Sequence, residues 1–249
     1  MRRTPRRWLG NSLGLDLFRG FNVMSEVSKD DKLVTEKSIQ AFHSNERLNF
    51  FSDGIFAITI TLLVLEIKVP EIAENLVATE LPKELLHLVP NILSYIISFI
   101  VLGIYWIAHH NMFMYIKHHN HVMLWLNTLF MMCVASVPFP TALLGRYANQ
   151  QISVVAYAGV LALTGIVLNL IWWYATTHRL VDETVEPAFI AFVHRYIRIA
   201  PLVYLVSIGV SFFSLAIAKF LFVVVAAFYI VPKSYHRQHY QQLSRRFNQ

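Results

Sequence analysis

The chain has 249 residues and a formal net charge of +6; 56% of its residues are hydrophobic, only 14% are charged, and the mean hydropathy is +0.49. Its apolar residues gather into long runs, which excludes an ordinary soluble domain and indicates a polytopic membrane protein. The lone cysteine, Cys133, sits within an apolar run, so a disulfide or zinc framework inside one chain is excluded.

The N-terminal stretch is basic at Arg2, Arg3, Arg6 and Arg7. Asn11, Asp16 and Arg19 then interrupt the apolar core that a signal peptide requires. Residues 1–40 read as a poorly ordered cytoplasmic tail, 41–233 as a transmembrane domain and 234–249 as a basic cytoplasmic tail. Within the domain six apolar segments have the length to span a bilayer. The first, about Asn49–Lys68, carries Ser52 and Asp53 near its start, and a carboxylate in such a segment normally faces protein or water. A loop with Glu71, Glu74, Glu80 and Glu84 follows. The second segment, about His87–Phe113, tolerates Pro90 in its first turn.

Beyond the linker Lys117-His118-His119-Asn120-His121, the third segment, about Val122–Leu144, contains Pro138 and Pro140, which predict a kink or a broken last turn. A short connection makes the fourth, about Ile152–Tyr174, its antiparallel neighbour. The fifth is about Phe189–Phe213. The sixth is about Ser214–Pro232, with Lys219 near its start to snorkel outward. Positive charge flanking these segments fits membrane orientation better than nucleic acid as a partner. The tails and the Lys117 linker share one side and the Glu-rich loop takes the other, so both termini are expected in the cytoplasm.

On an ideal helix Ile58, Thr61, Leu62 and Leu65 fall on one stripe and Asp53 on roughly the opposite face. Such a stripe fits either helix–helix packing or a pore lining with an apolar constriction. His109 and His110 lie about one turn inside the second segment, at the depth of Asp53 in the first. An Asp53–histidine contact is therefore expected, as a buried polar staple, a proton relay or a gate latch. Adjacent histidines point about 100° apart and make a poor metal site. Hydrolase, P-loop, dinucleotide and zinc-protease motifs are missing, so neither an enzyme nor a cofactor is expected. The T-V-G-Y-G loop of ordinary potassium channels is missing too.

Arg47-x-x-x-Phe51-Ser52-Asp53, continued by Gly54-Ile55-Phe56-Ala57-Ile58 and Leu62-Leu63-Val64-Leu65, resembles the first helix of the prokaryotic transmembrane protein 175 potassium channels. Trp106-Ile107-Ala108-His109-His110 resembles that family's W-x-x-H-H signature, and Pro138-Phe139-Pro140-Thr141 its third helix. The similarity covers about residues 41–235. It implies a multi-pass homotetramer in the cell membrane, with the first helix of each subunit lining a central pore for K⁺. Ile58, Leu62 and Leu65 would form the constriction and Thr61 a hydroxyl layer. Arg47, Phe51, Ser52, Asp53, Trp106, His109 and His110 would form the structural network around the motif. A proton-coupled transporter and a non-conducting membrane scaffold are the rival readings.

Overall fold

In the computed structural model the described residues are 46–230. The chain divides into two units, Met1–Glu46 and Arg47–Gln249, and only Glu46 of the first is described. The readings for the tails, 1–40 and 234–249, lie outside the described residues.

The fold is all-helical. Helix α1 is Glu46–Glu66 and tightens into a 3-10 turn at Leu63–Glu66. It is followed by α2 (Val77–His87), α3 (Val89–Tyr115), α4 (His121–Ser136), α5 (Pro138–Arg146), α6 (Gln151–Thr177), α7 (Pro187–Ser211) and α8 (Leu215–Ile230). Among the described residues five helices have the length and apolarity to cross a membrane: α1, α3, α4 with α5 as the single stretch His121–Arg146, α6 and α7. The sixth predicted segment corresponds to α8, a shorter apolar helix of 16 residues.

The first loop departs from expectation, because α2 is helical and carries Glu80 and Glu84. The proline break falls where the sequence placed it. Pro138 has no N–H to offer Val134, and the Val137 N–H bonds the Val134 carbonyl at 3.1 Å instead. The chain then restarts as α5 with Pro138 in its first turn.

Helix α6 is the hub. It contacts α3, α4, α5, α7 and α8, and 56% of its most apolar window is buried. In a bilayer the lipid is as apolar as leucine, so close packing and polar links hold helices together. Both meet at the α6–α7 crossing. Pro201 lies inside α7 and has no N–H for the Ile197 carbonyl. Asn169 Nδ2, from α6, donates to that carbonyl at 3.0 Å and to the Gly165 carbonyl at 2.8 Å. Gly165 permits the approach: a Cβ there would lie 3.0 Å from Pro201 Cδ and 3.1 Å from the Tyr105 hydroxyl. That hydroxyl donates to the Leu161 carbonyl at 2.7 Å and adds α3 to the junction. Nearby the hydroxyls of Ser98, Thr141 and Tyr157 lie 2.8 and 3.0 Å apart and link α3, α5 and α6.

The α3–α4 and α6–α7 connections are tied at one end of the bundle. Lys117 N–H donates to the Leu180 carbonyl and Asp182 N–H to the Tyr115 carbonyl, both at 2.9 Å. Lys219 turns back to the protein: its ammonium donates to the Ala148 carbonyl at 3.0 Å. The outward reach expected for it ends on this half-buried carbonyl, which the α5–α6 turn brings within range.

Candidate functional site

Helix α1 has two faces. Ser52, Phe56, Thr59 and Leu63 recur at helical spacing and are buried against the rest of the subunit. Ile58, Thr61, Leu62 and Leu65 point the other way and are exposed, Ile58 at 60% and Leu65 at 59%. The subunit therefore does not use this stripe for its own packing. Thr61 Oγ1 lies 2.9 Å from the Ala57 carbonyl and 2.8 Å from that of Ile58. Its single proton is engaged by its own helix, which leaves the oxygen lone pairs on the exposed face.

Two polar links fasten α1 to the rest of the bundle, the first exposed and the second buried. Trp106 Nε1 donates to Asp53 Oδ1 at 2.8 Å. Deeper in, the Ser52 hydroxyl donates to the Leu48 carbonyl at 2.9 Å and accepts Asn127 Nδ2 at 3.0 Å. Asn127 Oδ1 lies 2.8 Å from His109 Nε2. The Asn127 amide has already spent its nitrogen on Ser52, so its oxygen accepts and His109 Nε2 carries the proton. Aromatic rings hold this imidazole: Phe113 stacks at 4.2 Å and Phe130 at 5.3 Å, with Phe56 tilted at 6.1 Å.

The expected Asp53–histidine contact is thus replaced. Asp53 faces the Trp106 indole, and His109 lies on the Asn127 side of α3. His110 is exposed and stacks on Trp106 at 5.6 Å. Ser52, Asp53, Trp106 and His109 come together within the subunit. Arg47 and Phe51 do not join them and lie exposed on the same side of α1 as Ile58.

Asn127 is the member the sequence reading missed. Its signal was present: a lone amide in the apolar run Met123–Val134, a costly placement in a membrane helix unless the amide is bonded. Among the described residues no group of three or more His, Cys, Asp or Glu is arranged to hold a metal ion.

In the loops between helices, His119 and Asp182 have shifted acidity. Burial, reinforced by neighbouring His118, holds His119 below the usual histidine pKa. The Thr184 N–H and hydroxyl, both bonded to Asp182 Oδ1, hold that carboxylate below its usual value.

The chain is similar to known proteins. Residues 47–138 match the family described as Endosomal/lysosomal potassium channel TMEM175. A potassium channel of Chamaesiphon minutus is 38% identical over 173 residues, covering 68% of this chain and 84% of its own. A potassium channel of Streptomyces collinus is 35% identical over 178 residues, covering 68% of this chain and 82% of its own. The crystal structure of a lysosomal potassium-selective channel TMEM175 homolog from Chamaesiphon minutus superposes with a TM-score of 0.67 at 35% identity, covering 75% of this chain and 96% of that one. The matched segment holds both the Ser52–Asn127–His109 chain and the Asp53–Trp106 bond. By its motifs, the links those motifs make and the extent of these matches, this multi-pass membrane protein belongs to the TMEM175 family.

Proposed function

We propose that the protein is a potassium-permeable cation channel, a homotetramer in which α1 of each subunit lines a central pore. One observation carries the reading. Of the five spans α1 is the least covered by its own subunit, with 22% of its apolar window buried against 56% for α6, yet two specific polar links hold it in place. A helix fixed this firmly with its aliphatic stripe left open is arranged to meet copies of itself. The potassium channels of Chamaesiphon minutus and Streptomyces collinus, to which the chain is similar, support the ion assignment.

In this reading one Ile58 from each subunit forms the waist, with Leu62 and Leu65 continuing the apolar wall. K⁺ sheds water more easily than Na⁺ and crosses such a ring at lower cost. The Thr61 lone pairs replace part of the lost shell one turn along. Arg47 and Phe51, on the same open side of α1, complete the motif network across subunit boundaries. Both termini lie in the cytoplasm of a cell-membrane protein, and no enzymatic step or cofactor is involved. Glu71, Glu74, Glu80 and Glu84 raise the local cation concentration at the outer mouth, an effect that salt weakens.

The proton-coupled transporter loses its proposed relay, since Asp53 pairs with an indole and His109 with an amide. The test is reconstitution in liposomes with a K⁺ gradient and Na⁺ as competitor. The wild type conducts K⁺ passively, and Ile58→Ser conducts more and discriminates less. A wild type without flux supports the scaffold reading, and unchanged currents in Ile58→Ser remove the Ile58 ring.

A further inference from the structure

Helix α2 is 11 residues long and buries none of them. At about 100° per residue its side chains separate by half-circle. Val77, Leu81, Leu85 and Leu86 lie on one half, all exposed. Thr79, Glu80, Lys83, Glu84 and His87 lie on the other, with Lys83 and Glu80 paired at 2.8 Å. This order is too regular for a simple connector, and nothing in the subunit covers the apolar half.

The chain itself fixes what lies beneath. α1 leaves the hydrocarbon at Glu66, and α3 re-enters at Val89 with Leu88 as the single residue after α2. The C-terminal end of this helix, about 16 Å long, is therefore held at the boundary of that leaflet by Leu88, and residues 67–76 join its N-terminal end to α1. An amphipathic helix tethered there has the lipid interface within reach, a surface that takes a charge-free apolar half-circle while its charged half stays in water.

We infer that α2 is an interfacial anchor. It lies in the plane of the leaflet opposite the Lys117 loop, with Val77, Leu81 and Leu85 inserted among lipid acyl chains. In that position it moors the stretch leaving α1 to the membrane surface. The inference rests on the spans alone and holds whether or not the protein conducts.

The test uses the full chain in a Cys133→Ser background, reconstituted in phosphatidylcholine nanodiscs. An environment-sensitive fluorophore is placed at Leu81→Cys, Leu85→Cys or Lys83→Cys. A lipid spin-labelled near the headgroup is expected to quench the Leu81 and Leu85 sites at least twofold more than the Lys83 site. Aqueous iodide is expected to show the reverse order. Equal iodide quenching at all three sites would place the apolar half in water and overturn the inference. Protection of Leu81 and Leu85 from both quenchers, with cross-links between subunits, would assign that face to a second copy and overturn it too.

Discussion

Asp53 illustrates how a costly residue is made acceptable. A carboxylate about two turns inside a membrane helix needs a donor, and Trp106 Nε1 supplies it at 2.8 Å without introducing a second charge. Asp53→Ala and Trp106→Phe remove the same bond from opposite sides. Each is expected to cost about 1–3 kcal/mol, read as lower yield and a lower melting temperature of the purified protein. Normal assembly with only ion preference altered would mean that the bond serves conduction rather than structure.

His119 gives a second residue-scale expectation. Its Nδ1 is buried without a partner and its ring lies against Phe113. With its pKa lowered by burial and by His118, it stays neutral in the fold while the unfolded chain takes up the proton. Its contribution to stability is complete above the unfolded pKa, about 6.5. It declines as pH falls from there toward the folded value. Thermal unfolding between pH 7.5 and 5.5 should fall less steeply in His119→Phe than in the wild type. Identical slopes would show that the ring is accessible to protons in the fold.

Among the elements, α6 and α7 depend on a glycine, a proline and an amide acting together. Pro201 frees a carbonyl, Asn169 bonds it, and Gly165 lets the two helices close on each other. Gly165→Val places its side chain against a rigid ring and a bonded hydroxyl, neither able to move away cheaply. A loss of about 1–3 kcal/mol is expected, measured as a fall in thermal stability in detergent. A neutral effect would mean that α7 shifts outward freely.

At the scale of the whole molecule, the proposed function gives the stripe of Ile58, Thr61, Leu62 and Leu65 a role only in an assembly. Within one subunit it is a bare face, and in a bilayer a bare aliphatic face costs little. That is why the Ile58→Ser prediction belongs at this scale. A polar side chain facing lipid would impair folding, whereas one facing a pore axis raises flux while the assembly keeps its mass.

The sequence by itself determined the membrane class, the apolar segments, the break at Pro138 and the aliphatic stripe, because apolar runs, prolines and helical periodicity are local properties of the chain. It also located Ser52, Asp53 and His109, since polar residues in an apolar run announce themselves, and the family resemblance added Trp106. Their pairing was decided only in three dimensions. Depth along a helix pointed to His109 and His110 as neighbours of Asp53, but rotation about α3 aims the Trp106 indole at the carboxylate and the His109 imidazole at Asn127. The amphipathic α2 was masked in the sequence by its proline and acids, and Lys219 by its place near a helix start. Both were settled by which surfaces and carbonyls the folded bundle brings within reach.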